Sequence, residues 1–297
     1  MPYTGEWAAL ATVPCWTLST LAFEAAGRRV GSMNVNLVRL VVAWGMLALY
    51  GWAFRGLPLP VDASADTWLW MSISGFVGFF LCDMCLFRAW VLMGPRVTLL
   101  VFSSMNPPLA VLLGWLIVGE ALTWAQWLGM AMTLGGVTWV LAERQIRATV
   151  RTWHISAWSV TLALAAALGQ AAATVLIKKG PRDYDPCAIT QIRVIAGIAG
   201  FVVLFAAIRW YRRLWRGMRD TRAMGLASLG ALFGPVMGVS LLTLSLRYLP
   251  SGVALTFVAT LPVVILPFTM IIYKEHVTRR AAAGAGIAVA GVAMLFL

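Results

Sequence analysis

Three charged residues that could bind a ligand or transfer a proton lie within apolar stretches of the sequence. Arg39 in NLVRL, Arg193 in TQIRV and Asp83 in LCDMCLF are each flanked by hydrophobic residues. A charged group inside a membrane is costly, so such residues are candidates for function. Arg39 and Arg193 could bind a carboxylate, or extend to the interface and tether helices. Asp83, five residues before Arg88, could form part of a gate or pair with that loop arginine.

Metal and enzyme chemistry are poorly supported by these residues. Cys82, Asp83 and Cys85 offer three donors, whereas a structural zinc site needs four. His154 and His276 lie at the edges of apolar runs, and no paired acidic motif lies within one. Membrane enzymes usually need a carboxylate-bound metal or a nucleophile with a base. We therefore expect no catalytic residue, no metal and no cofactor.

Uncharged polar residues near the middle of the apolar runs form a second set of candidates. Any one of them could simply hydrogen-bond to a neighbouring helix, which is worth about 0.6 kcal/mol on average. Together they predict the polar lining of a substrate cavity. They are Trp16, Thr17, Ser19, Ser103, Ser104, Asn106, Gln170, Thr174, Thr256 and Thr260.

The elements that position these residues are membrane helices. The chain is 61% hydrophobic and 11% charged, against about 45–50% and about 25% in soluble domains. A hydrocarbon core of about 30 Å takes about 20 helical residues. Apolar length therefore predicts an all-α integral membrane protein with ten transmembrane helices. The predicted spans are 6–26, 34–54, 67–92, 96–118, 124–142, 155–178, 187–209, 222–246, 250–273 and 279–297.

The two halves of the chain, 1–150 and 151–297, repeat each other at a spacing of 155 residues, and Arg39 matches Arg193 at a spacing of 154. Each half holds five predicted helices, so matching helices must cross the membrane in opposite directions. Inverted repeats of this kind surround the substrate site of many secondary transporters, although a duplication kept only for packing is the alternative. The identical pairs are Gly75 and Gly230, Pro95 and Pro250, Phe102 and Phe257, Pro107 and Pro262, Glu120 and Glu275, Thr123 and Thr278, Gly129 and Gly284, and Gly136 and Gly291.

Prolines interrupt the fourth and ninth predicted helices. Each removes a backbone donor, and the carbonyl that it frees must find another partner in lipid. We expect kinks or hinges that face the cavity at Pro107, Pro108, Pro262 and Pro267. Thr123 and Gln126 have the spacing of a capping box for helix five, and Glu120 would lie beside the positive end of that helix. A structural role is favoured for Glu120 over a catalytic one.

The stretch NPPLAVLLGWLIVGEALTWAQWLG, with its GE-x-LT-x-x-Q-x-x-G pattern, and its weaker copy LPVVILPFTMIIYKEHVT resemble the EamA family of the drug/metabolite transporter superfamily. The length and the Trp-rich first helix are similar to those of YddG-type amino-acid exporters. The resemblance implies that helices one to four and six to nine surround a central cavity, with five and ten outside. It also implies secondary transport of amino acids or other small metabolites.

One departure bears on the substrate. Related small multidrug resistance proteins carry a first-helix glutamate that binds protons and cationic drugs, and Trp16 occupies that position here. We therefore expect export of amino acids with broad specificity by alternating access. Uniport and proton-coupled antiport are both alternatives for its mode of coupling. Efflux of cationic or aromatic drugs is the alternative, followed by an integral-membrane enzyme. The chain is expected to act as a monomer in the bacterial inner membrane, with a small-molecule substrate and lipid as partners.

The net charge of +12 indicates topology signals and contacts with anionic lipid rather than nucleic-acid binding. Most Lys and Arg residues fall on the side of the odd-to-even loops, including six arginines between 209 and 222. The positive-inside rule therefore places both termini outside, whereas the family resemblance places them in the cytoplasm. The charge distribution is favoured. The cations on the side of the termini are Arg55, Lys178, Lys179, Arg182 and Arg247.

Overall fold

The computed structural model describes residues 3–93, 95–147, 156–181, 183–261, 263–264 and 279–296. Within these ranges every regular element is a helix. The α-helices are α1 (Thr4–Val30), α2 (Ser32–Arg55), α3 (Ala65–Gly75), α4 (Cys82–Met93), α5 (Pro95–Val118), α6 (Trp124–Arg147), α7 (Ala157–Ile177), α8 (Pro186–Ala207), α9 (Tyr211–Met218), α10 (Thr221–Ala231), α11 (Val239–Ser245), α12 (Ser251–Ala259) and α13 (Arg279–Met294).

Membrane-spanning character follows from apolar length in these helices. Six spans in the described part of the chain are long and apolar enough to cross a membrane. The expectation of an all-helical, multi-pass membrane protein is therefore confirmed, whereas the number ten stays a prediction because 265–278 lies outside the described residues. The six are Ser32–Arg55, Ala65–Met93, Val97–Val118, Ala157–Ile177, Pro186–Ala207 and Thr221–Ser245.

Short polar side chains set where several of these helices begin. The side chains of Ser64, Ser156, Asp185 and Asp220 each accept a hydrogen bond from a backbone N–H in the first turn of α3, α7, α8 and α10. Such caps satisfy donors that have no partner within the helix. Pro186 follows Asp185 at the start of α8. A backbone N–H at this position would have no partner within the helix, so its absence costs no hydrogen bond. Capping therefore fixes the spans at their ends.

Two π-helical segments interrupt long spans. Phe76–Leu81 joins α3 to α4, and Leu232–Gly238 joins α10 to α11. Adding 155 to the first range gives 231–236, so the two segments overlap when the halves are matched. A π turn inserts an extra residue into a helix and often lies at a functional site. The repeat found in the sequence thus extends to a local irregularity of the backbone.

Helices α6 and α13 pack closely through glycines. A Cβ atom on Gly136 would lie 2.5 Å from the carbonyl oxygen of Gly284, and one on Gly129 would lie 2.9 Å from that of Gly291. Higher numbers on α6 therefore meet lower numbers on α13, so the two helices run antiparallel. Thr133 lies at this contact, since its hydroxyl donates to the Gly129 carbonyl of α6 at 2.8 Å and lies 3.5 Å from the Ala288 carbonyl of α13.

The largest cluster of buried apolar side chains surrounds α12. Every residue of α12 from Ser251 to Ala259 is buried, and α12 packs against α1 and α5.

The rings of Tyr3 and Trp7 contact that of Phe296, with centroids 5.9 Å and 5.7 Å apart. The start of α1 and the end of the described chain therefore lie at the same end of the bundle.

The opposite end of the bundle carries arginines. The segment between α8 and α10, expected to be a loop, contains the short helix α9, and Trp210 beside it donates its ring N–H to Asn34 of α2 at 2.9 Å. Arg29 at the end of α1 binds Asp220 at 2.8 Å. The pKa of Asp220 lies below its usual value, mainly because its carboxylate accepts a hydrogen bond from the Ala223 N–H and secondly because it accepts one from Arg29.

Candidate functional site

Arg39 binds an acidic residue within the protein. Its guanidinium contacts the carboxylate of Asp83, and about 15% of each side chain is exposed. The guanidinium also lies over the ring of Phe23, 5.3 Å from its centroid. The ion pair joins α2 to α4. Asp83 therefore pairs with Arg39, whereas Arg88, the other residue proposed for a gate, is exposed.

Arg193 has a different environment, although it matches Arg39 in the sequence. It is 3% exposed, and its Nε donates to the Ser74 hydroxyl at 3.0 Å. That hydroxyl donates in turn to the Ala173 carbonyl at 2.6 Å, and the guanidinium lies over the Phe79 ring at 5.1 Å. Nη1 is buried without a hydrogen-bond partner. Among the described residues, Arg193 forms no ion pair.

The predicted threonines bond to their own helices. Their hydroxyl groups donate to backbone carbonyls three or four residues earlier in α1, α7 and the α12 region, at distances from 2.6 to 2.9 Å. All four side chains are buried. These threonines therefore have satisfied hydroxyl groups in this conformation, which is the ordinary behaviour of threonine in a helix. They are Thr17, Thr174, Thr256 and Thr260.

Trp16 and Ser19 lie against the second π-helical segment. The Trp16 ring packs on Gly238, and the Ser19 hydroxyl packs on Gly234, at positions where a Cβ atom would collide. Gln170 is placed comparably on α7, because its side-chain oxygen lies 3.8 Å from the sulfur of Cys82 at the end of the first π-helical segment. Three predicted site residues are thus brought to the two π-helical segments.

Helix α5 holds a group of hydrogen-bond acceptors. It continues through Pro107 and Pro108, and these prolines cannot donate to the carbonyls of Ser103 and Ser104 four residues earlier. Asn106, in the same turn, is 5% exposed, and its Oδ1 has no partner among the described residues. The Ser104 hydroxyl lies 3.0 Å from that of Thr138.

Two of the four predicted hinge prolines lie within the described residues. Pro107 is buried and Pro108 is exposed. Pro262 and Pro267 lie outside the described residues, and so does Glu275. The hinge prediction for the ninth helix therefore stays a prediction.

Glu120 lies just after the end of α5 and contacts the end of α7 and the start of α12. It was expected to lie at the start of α6 instead. Its carboxylate accepts from the Ser251 N–H at 2.9 Å and from the Ser251 hydroxyl at 3.2 Å, and it contacts the Lys178 ammonium. It therefore caps α12 and not α6, since the chain turns at Gly119, whose positive φ of 69° ends α5. The capping box of α6 forms as predicted, with Thr123 and Gln126 bonded at 3.0 and 3.3 Å.

Comparison with known proteins matches the same family to each half of the chain. The EamA-like transporter family matches residues 3–142 and again 157–297. A crystal structure aligns with 99% of this chain and 96% of its own, with a TM-score of 0.66 and 17% sequence identity, which shows a shared fold. No curated protein sequence matches the chain.

Proposed function

Because the chain belongs to the EamA-like transporter family, we propose that it exports small metabolites across the bacterial inner membrane, with neutral amino acids as its main substrates. It works by alternating access, acts as a monomer and accepts a broad range of side chains. Among the described residues, no group of three or more His, Cys, Asp or Glu side chains could hold a metal ion. The family supports transport rather than catalysis.

The proposed architecture is ten helices in two inverted five-helix repeats. Three observations support it. In the antiparallel contact of α6 with α13, Gly129 meets Gly291 and Gly136 meets Gly284. Because Gly129 matches Gly284 and Gly136 matches Gly291 at the 155-residue spacing, the two contacts are equivalent. The two π-helical segments match at the same spacing. Finally, α1 packs against α10 and α11 as α7 packs against α3 and α4.

The acceptors on α5 carry the proposal for the substrate. Asn106 Oδ1 and the carbonyls of Ser103 and Ser104 offer three oxygens in one turn, which suit the ammonium group of an amino acid. A buried acceptor without a partner is costly, so a donor on the substrate would be stabilising. Asp83, an acidic group within a described span, is already bound to Arg39, which disfavours a bare organic cation as the main substrate.

The experiment is flux in proteoliposomes that contain this protein alone. Labelled neutral amino acids are compared with quaternary ammonium drugs, and wild type with Asn106→Ala and Trp16→Ala. We expect transport of several amino acids and an increase in KM of roughly tenfold for Asn106→Ala, since a hydrogen bond to a charged group is worth about 1.5–3 kcal/mol.

The matched control is Thr161→Ala, because the Thr161 hydroxyl is on an exposed face and bonds to the Ala157 carbonyl of its own helix at 2.9 Å. Flux in this variant should equal that of wild type. Carriage of quaternary ammonium drugs without amino acids would replace the proposal with multidrug efflux.

A further inference from the structure

We propose that Arg193, and not its sequence counterpart Arg39, binds the carboxylate group of the transported solute, and that Ser74 positions its guanidinium. This inference rests on the proposed function, because it assigns one residue to one end of the same class of substrate.

The charge balance within the described spans is incomplete. Arg39 and Asp83 neutralise each other across α2 and α4. Arg193 is 3% exposed, and no ion pair with it is formed by the described residues. A buried charge in a membrane protein is normally paired. The carboxylate of a solute would supply the missing negative charge.

The guanidinium of Arg193 is held in one orientation by neutral contacts. Nε is bound to Ser74, whose hydroxyl is itself fixed by the Ala173 carbonyl. Phe79 covers one face of the group. These contacts use Nε and leave Nη1 without a partner. An arginine presents its Nη groups as a fork that matches the two oxygens of a carboxylate.

Gly78 places backbone without a side chain against the guanidinium of Arg193. A Cβ atom on Gly78 would lie 3.4 Å from Nη2 of Arg193 and 2.9 Å from Cβ of Ala173. Gly78 belongs to the π-helical segment Phe76–Leu81. The site therefore lies where the backbone of this span is irregular, and a shift of that segment would change the surroundings of Nη2.

The difference between the halves explains why one arginine is free to bind a ligand. Adding 155 to 83 gives 238, so the residue that matches Asp83 is Gly238. The second half thus has no acidic side chain at the position whose counterpart neutralises Arg39. A simple tether between α8 and α3 would not require a permanent charge, because the Ser74 hydroxyl can also accept a hydrogen bond from a neutral donor.

The test compares solutes that differ only at the carboxyl end. Proteoliposome counterflow is measured for leucine and for leucinamide, which keeps the amine and side chain but lacks the carboxylate. Wild type should prefer leucine. For Arg193→Gln, we expect the KM for leucine to rise at least about tenfold while transport of leucinamide stays within twofold of wild type. Ser74→Ala should raise the KM for leucine without abolishing transport.

The matched control removes both charges of the Arg39–Asp83 ion pair. The double variant Arg39→Gln/Asp83→Asn keeps the net charge of the interior unchanged, and its ratio of leucine to leucinamide transport should equal that of wild type. Equal losses for leucine and leucinamide in Arg193→Gln would show a purely structural arginine and overturn the proposal. So would an unchanged KM for leucine.

Folding is checked by the melting temperature of the purified variants and its increase when leucine is added. If Arg193→Gln does not fold, Arg193→Lys decides, because it keeps the charge but loses the fork: the selectivity for leucine over leucinamide should fall, and retention of full selectivity would overturn the proposal. If wild type carries a 2-oxo acid but no amino acid, the amino-acid proposal fails while the carboxylate site stands. Carriage restricted to quaternary ammonium compounds would end both.

Discussion

Replacing Gly136 by alanine tests the contact between α6 and α13. The new Cβ atom would lie 2.5 Å from the backbone nitrogen of Ala288 and 2.5 Å from the carbonyl oxygen of Gly284. Both atoms belong to the backbone, so no side-chain rotation relieves the collision and the helices must separate. Small residues at membrane helix interfaces allow this close approach of backbones.

The neighbouring glycine gives a matched control. A Cβ atom on Gly135 would meet nothing within 4 Å. Both substitutions gain the same helix propensity of about 0.8–1 kcal/mol, which cancels when the variants are compared. The remaining difference is the cost of overpacking, typically about 1–3 kcal/mol. Gly135→Ala should therefore be more stable than Gly136→Ala by about that amount.

The second helix provides an independent pair. A Cβ atom on Gly291 would lie 2.5 Å from the backbone nitrogen of Thr133, whereas one on Gly286 would meet nothing within 4 Å. Reversible unfolding in mixed micelles, followed by far-UV circular dichroism, measures all four variants. Equal stability of Gly136→Ala and Gly135→Ala, repeated for Gly291→Ala and Gly286→Ala, would refute the packing argument.

Two other predictions concern the ends of the bundle. Glu120→Ala should lower the free energy of unfolding by about 2–4 kcal/mol, because Ser251 loses a charged cap and Lys178 loses a buried partner; Glu120→Gln should lie between it and wild type. The exposed Glu24, which pairs with Arg28, is the control, and Glu24→Ala should change stability by less than about 1 kcal/mol. A larger loss for Glu24→Ala than for Glu120→Ala would contradict this assignment. For orientation, a C-terminal alkaline phosphatase fusion should be active in the periplasm, as the positive-inside rule requires, and a fluorescent C-terminal fusion in the cytoplasm would reverse it.

Apolar length and repeated glycines and prolines were sufficient to predict the helical membrane fold. Those signals are local, or are repeated at one fixed spacing, so they survive without knowledge of packing. The π-helical segments were not predicted, because FVGFFL and LFGPVMG are as apolar as the sequence around them. The available signals were Pro235 within the second segment and the matching of Gly75 with Gly230 beside the two segments.

Side-chain partners were harder to predict because they depend on which helices meet. Asp83 was assigned to Arg88 or to a gate by nearness in the sequence, whereas the fold brings it to Arg39 of α2. Glu120 was expected at the helix that follows it, yet the turn at Gly119 directs it to α12. The threonines near mid-span were candidates for a cavity, and their hydroxyl groups bond within their own helices. An opposite charge in another span was the one clue to the Arg39 partner.

The neighbouring positions of the chain ends have a consequence for connectivity. Tyr3 and Phe296 touch through their rings, while the two matched halves are joined by the segment between 142 and 157. A short peptide could therefore close the ends, and new ends could be opened between the halves. The permuted gene would encode the second half first and would preserve the helix contacts described here. The architecture would then not depend on which half is synthesised first.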